Sequence, residues 1–164
     1  MSIREYLRSR NVPFVALLHR PVPSAARLAQ SVHVAGDQVA KGVLIRTPSG
    51  FVLAVVPSTH RVVLDRVAEM LGQAGLEIAS EAEVEQVFHD CECGALPPFG
   101  RVYGLTTLVD VDLAHQAEIV VQANTRHEAI RLRYRDYEQV ECPERGRLSI
   151  PIHPPRHPLH RQAG

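Results

Sequence analysis

The stretch VAKGVLIRTPSGFVLAVV, residues 39–56, holds two β-rich runs on either side of Thr47-Pro48-Ser49-Gly50. A proline and a glycine in four turn-forming residues reverse the chain, so the stretch predicts an antiparallel hairpin. Side chains alternate along a strand, which puts Lys41 on one face with Val39, Val43 and Ile45, and leaves Ala40, Gly42 and Leu44 on the other. A lysine on an apolar face has two readings. Its ammonium reaches past the strand end to water, or it stands as a fixed cation at the rim of a pocket and holds an anionic or carbonyl part of a ligand.

Working outward from the hairpin, Ser2 caps a short helix carrying Ile3 and Leu7, and FVALLH (14–19) reads as a strand. Ser24 opens a second helix with Ala25, Leu28, Ala29 and Val32 at helical spacing before Gly36. After the hairpin, Ser58 and Thr59 are placed to cap a helix over Val63, Val67, Met70 and Leu71. LEIA (76–79) is a short strand and EAEVEQVF (81–88) an acidic helix. VYGLTTLVD, AEIVVQA and EAIRLRY follow as strands, Asn124-Thr125-Arg126-His127 turns between the last two, and Tyr134 to Val140 closes as a helix. Strands and helices in irregular succession imply a mixed α/β domain rather than a doubly wound sheet.

The 164 residues and 45% hydrophobic content fit one domain with one core. Eighteen basic residues balance eighteen acidic ones, so any nucleic-acid contact has to be a local patch. There is no run of about 18 apolar residues, and MSIREYLRSR has charges where a secretory signal needs an apolar segment. Cys91, Cys93 and Cys142 make a poor disulfide framework. The expectation is a cytoplasmic protein with reduced thiols and no membrane association. From Cys142 onward prolines, arginines and histidines dominate, which sets the domain at residues 1–142 and leaves 143–164 as a flexible tail outside the fold.

Between helix and strand lies CECGALPPFG (91–100), whose two prolines fix φ and remove donors while its glycines permit close approach. Such a loop either aims backbone groups at a ligand or serves as a rigid crossover. Cys91-Glu92-Cys93 lacks the spacing of a zinc site, so no metal is expected there. His153, His157 and His160 are tail residues, and Asp110 and Asp112 cap or position elements unless both face a cleft.

Lys41 on VAKGVLIR, the FVLAVVP strand, GALPPFG, VYGLTTLVD and the strand ending near QANTRH occur in an order that resembles the YbaK/prolyl-tRNA-synthetase-associated domain family, over roughly Ser24 to Val140. The resemblance implies a mixed, barrel-like β-sheet with surrounding helices and a pocket for the aminoacylated 3′ end of tRNA. It implies an aminoacyl-tRNA deacylase that hydrolyses the ester of misacylated tRNA in trans by positioned water, with no metal or other cofactor, acting on misacylated tRNA and partnering an aminoacyl-tRNA synthetase. Carried over residue by residue, Lys41 and Gly94 become catalytic, and Ala95, Leu96, Pro97, Pro98, Phe99 and Gly100 bind substrate; His127 either is an exposed turn residue or reaches the pocket to bond substrate or its water. The chain departs from the family at Gly42, where asparagine is common, and at Asn124, where glycine is common. A non-catalytic module of the same fold that binds tRNA, a synthetase or an amino acid is the alternative.

Overall fold

The computed structural model describes residues 1–152. In chain order it contains α1 (Ile3–Ser9), β1 (Val15–Leu18), α2 (Ala25–Ser31), β2 (Val39–Thr47), β3 (Gly50–Pro57), β4 (His60–Val62), α3 (Leu64–Leu71) and β5 (Glu77–Ile78). There follow α4 (Glu81–Val87), β6 (Thr106–Asp110), α5 (Val111–Ala114), β7 (Glu118–Gln122), β8 (Glu128–Arg133), α6 (Tyr134–Glu141), β9 (Glu144–Gly146) and β10 (Ser149–Pro151).

The predicted hairpin forms in register from Ala40 opposite Pro57 to Thr47 opposite Gly50. Thr47 Oγ1 accepts from Ser49 N at 3.2 Å and donates to Gly50 O at 3.0 Å, tying the turn. Around this hairpin the main sheet runs β1-β8-β7-β2-β3-β6-β9, with β5 added to the end of β2. Pairs β1/β8, β7/β8 and β2/β3 are antiparallel, whereas β2/β7, β3/β6 and β6/β9 are parallel. The mixed α/β architecture read from the sequence is the one found.

Strand alternation divides the apolar residues between two sheet faces. Leu44, Leu53, Val55, Val109, Val121 and Ile130 pack beneath Ile3 and Leu7 of α1 and Tyr134 and Tyr137 of α6. Ile45, Val52, Ala54, Val56 and Leu108 pack against Val67 of α3. A smaller cluster joins Val39, Val120 and Ala129 to Leu28 and Ala29 of α2. Helix α1 starts with the capping box of Ser2 and Glu5, and Ser24 accepts from Arg27 N to start α2.

Two local expectations are corrected. Ser58 and Thr59 cap no helix, because β4 intervenes; Ser58 Oγ donates instead to Gly36 O at 2.6 Å, and Thr59 bonds Asp37. The strand expected from Val102 begins at Thr106, since Gly100–Tyr103 forms a 3-10 turn closed by Gly104 at φ 72°.

The larger correction concerns the domain boundary at Cys142. Residues 143–152 belong to the fold: β9 adds to β6, β10 pairs with β4, and Leu148 is fully buried in the α3 cluster. Asp110, itself buried, takes Leu148 N, Ser149 N and Ser149 Oγ on one carboxylate oxygen and Asp112 N on the other. Residues 153–164, with His153, His157 and His160, lie outside the described residues.

Glu141 ends α6 inside the core. Thr107 Oγ1 and Arg101 N donate to its Oε1 at 2.5 and 2.9 Å, while buried Oε2 has no partner among the described residues. Burial pushes its carboxyl up to about 7 against the opposing hydrogen bonds. A carboxyl raised in the folded state binds more protons there than in the unfolded chain, so stability is lost as pH rises from about 4.5 to about 7. Glu141→Gln is therefore expected to flatten that slope and to raise the melting temperature at pH 8. Thermal melts from pH 5 to 8 check this, and parallel curves for both proteins would refute it.

Candidate functional site

The sheet opens where β2 and β7 part. They pair only at Val39 with Val120 and Ala40 with Val121, and the same edge of β2 is next taken up at Leu44, whose carbonyl accepts from Ala79 N at 2.9 Å. Alternation turns the peptide N–H and C=O of Gly42 to the edge that Leu44 presents. A cavity of about 210 Å³ occupies this opening. Its walls are Ala40, Lys41 and Gly42 from β2, Gln122 from β7, Gly94 and Leu96 from the loop, and Val22 to Ala25 with Leu28 at the start of α2.

Lys41 is half-buried on this wall and makes no hydrogen bond or ion pair among the described residues. Desolvation lowers its pKa below the ordinary lysine value. Lys41 therefore stands as a cation on the wall of a cavity.

Gly42 gives the loop a close approach to the strand. A Cβ there would collide with Leu96 and lie 3.2 Å from Leu53 Cδ1 and 3.7 Å from Pro98 Cα. The glycine seats the loop on the strand, so its missing side chain is replaced by Leu96 rather than by empty space.

The loop is clamped at both ends. Glu92 N donates to Asn124 O at 2.9 Å, and Glu92 Oε2 accepts from Arg126 N at 2.8 Å, fastening it to the β7–β8 turn. Gly94 then turns at φ 87°, with the Arg126 side chain over it: Nε lies 3.8 Å from where a Cβ would stand. At the far end Pro98 O accepts from Tyr137 OH at 2.8 Å, and Phe99 is fully buried with ring centroids 6.3 Å from Tyr6 and 5.3 Å from Tyr137. Asn124 has its own reason: Oδ1 accepts from Ile3 N at 2.7 Å, joining α1 to the turn.

The structure therefore brings together Lys41, Gly94 and Leu96 from the expected set. Ala95, Pro97 and Pro98 are buried behind them. Phe99 and Gly100 are corrected from substrate contacts to core anchors, because the aromatic ring needs burial and a Cβ on Gly100 would meet Thr107 Oγ1. His127 is likewise absent from the wall; it is exposed in the turn, and its carbonyl accepts from His19 N at 2.8 Å.

Gln122 was missed. Its Nε2 donates to Thr125 O at 2.6 Å and Glu128 O at 3.0 Å. The signal available in the sequence was a polar residue two positions after Val120, on the apolar face of a strand.

Asp110 and Asp112 do not face the Lys41 cavity. With His60 they offer ligand atoms within 4.8 Å of one another, but both oxygens of Asp110 already accept protein donors, and His60 Nδ1 meets Ser149 Oγ at 2.9 Å. These donors make the cluster a fastener for β10 rather than a set of free ligands.

Residues 19–140 match the aminoacyl-tRNA editing domain. The chain belongs to this family. It is 35% identical over 97 residues to a proline–tRNA ligase of Xanthomonas oryzae pv. oryzae, covering 59% of this chain and 17% of the ligase. A proline–tRNA ligase of Xanthomonas campestris pv. campestris is 31% identical over the same length and shares. The chain thus spans about a sixth of these relatives. Among solved structures, one described as a candidate trans-editing enzyme for prolyl-tRNA synthetase superposes with a TM-score of 0.77 at 21% identity, covering 90% of this chain and 94% of that one. A hypothetical protein superposes at 0.81 with 17% identity, covering 90% and 99%. These likenesses concern the fold of the editing domain. Among the described residues no helix is long and apolar enough to cross a membrane.

Proposed function

We propose that this editing domain is a hydrolase that deacylates misacylated tRNA in trans, with tRNA for proline carrying a small amino acid as the first substrate to test. The observation that carries the reading is Lys41, a half-buried cation without a partner among the described residues, on the wall of a small cavity. A bound 3′ end supplies the missing partner: Lys41 holds the terminal phosphate or the ester carbonyl. The backbone at Gly94 holds the amino-acid end and orients water, helped by a ribose hydroxyl. Water adds to the ester carbonyl carbon, the bond from that carbon to the ribose oxygen breaks, and the proton passes to that oxygen. Free amino acid and uncharged tRNA leave.

Catalysis of this kind rests on placement, which can supply on the order of 7–11 kcal/mol of barrier reduction. The 210 Å³ cavity favours a small side chain beside the ribose. In this reading the protein works in the cytoplasm on synthetase products, alone or beside a synthetase.

The test is release of labelled amino acid from a panel of mischarged tRNAs, run with the wild type and with Cys91→Ser, Cys93→Ser combined. Both are expected to release, at rates within about twofold of each other. Neither cysteine lines the cavity, and burial pushes the Cys91 thiol up to about 11, so little thiolate exists at neutral pH. Loss of release in the serine variant would replace positioned water by thiol chemistry. Binding across the panel with no release by the wild type would make the domain a recognition module.

A further inference from the structure

We infer that Gln122 receives the α-ammonium of the aminoacyl group and so makes the site selective for esters of free α-amino acids. This deepens the deacylase reading and rests on it.

The amide of Gln122 has only one end free. Both hydrogens of Nε2 are committed, to Thr125 O at 2.6 Å and Glu128 O at 3.0 Å, the two carbonyls that frame the β7–β8 turn. That fixes the rotation of the amide and presents Oε1 as an acceptor, and no donor reaches it among the described residues. Gln122 lines the Lys41 cavity. Register explains the pairing of the two groups. One step beyond Ala40 and Val121, Lys41 and Gln122 follow on the face of Val39 and Val120, beneath the start of α2.

The chemistry of the ligand then has one favourable orientation. An aminoacyl ester brings an anionic phosphate and a carbonyl on one side and a cationic ammonium on the other. Lys41 attracts the former and repels the latter, and a half-buried position screens that repulsion less than open water. Gln122 Oε1 is a neutral acceptor suited to an N–H donor. Of the other wall residues, Val22, Pro23, Ala25, Leu28 and Leu96 are apolar, and the Ser24 hydroxyl already accepts from Arg27 N as the cap of α2. A ligand lacking the ammonium leaves Oε1 desolvated and unpaired, which is how a polar pocket rejects analogues.

The test compares two esters that differ only in this group, alanyl-tRNA and lactyl-tRNA, with the wild type and with Gln122→Met. Methionine keeps the length and removes the acceptor. It also removes the bonds to the turn, so the readout is the ratio of kcat/KM for the two esters; loosening of the turn lowers both rates and leaves the ratio in place. The wild type is expected to favour the alanyl ester by at least about tenfold, and Gln122→Met to lower that ratio by about tenfold or more. A ratio unchanged by the substitution would overturn the assignment. If the wild type hydrolyses neither ester, the deacylase reading fails separately, and calorimetric binding of 3′-alanylamido- and 3′-lactylamido-3′-deoxyadenosine decides this one. Preference for the alanyl amide that disappears in Gln122→Met supports it; equal binding by the wild type overturns it.

Discussion

Replacing Lys41 by alanine is expected to lower deacylation by about tenfold to a hundredfold without unfolding the protein. Each factor of ten corresponds to about 1.4 kcal/mol of transition-state stabilisation, a modest amount to lose with the cation of a small cavity. Single-turnover release from mischarged tRNA is the direct measurement. Stability moves the other way. A lysine whose pKa is lowered by burial binds fewer protons in the folded state than in the unfolded chain, so stability rises as pH climbs toward the ordinary lysine value near 10.5. Alanine removes that slope, and at neutral pH the variant should melt no lower than the wild type. Lys41→Arg separates a positioned ammonium from general attraction. Guanidinium is longer and planar, and the cavity holds only about 210 Å³, so arginine should fail to restore the rate. Full rescue by arginine would reduce Lys41 to a patch of positive charge, and unchanged release by Lys41→Ala would remove it from the chemistry.

The hairpin and Lys41 were legible because period-two alternation is local: a charge among Val39, Val43 and Ile45 stands out in one strand. The loop was legible as a rigid segment, yet which of its residues touch the cavity depends on long-range packing. Phe99 looks like a pocket aromatic until Tyr6 and Tyr137, from opposite ends of the chain, enclose it. Gln122 was hidden for a related reason, since its neighbourhood with Lys41 is set by the parallel β2/β7 pairing across about eighty positions. The C-terminal segment was misread because β9 and β10 have three residues each and little strand propensity of their own. They are held by pairing with β6 and β4 and by one buried carboxylate, features that composition does not record.

That carboxylate gives the largest expected loss of stability. Asp110→Ala removes the acceptor of four donors, among them Leu148 N and Ser149 N, both in buried surroundings, together with the Ser149 hydroxyl and the cap on Asp112 N. A buried donor left unpaired costs about 1–3 kcal/mol, and a lost cap about 1 kcal/mol. The two amides and the cap together come to about 3–7 kcal/mol, which for a chain of this length lowers the melting temperature by roughly 10–20 °C. Asp110→Asn is the stringent control: it is isosteric, and its amide keeps the three convergent donors by turning Oδ1 to them, which sets its own hydrogens against Asp112 N. It should therefore lose only the cap and melt closer to the wild type than to the alanine variant. Leu148→Ala should itself cost about 2–5 kcal/mol, because this side chain is fully buried against α3. The two lesions release the same segment, so the double variant should lose less than the sum of the singles. Additive losses, or a melting temperature for Asp110→Ala within about 2 °C of the wild type, would show that pairing of β9 and β10 alone holds the end of the fold.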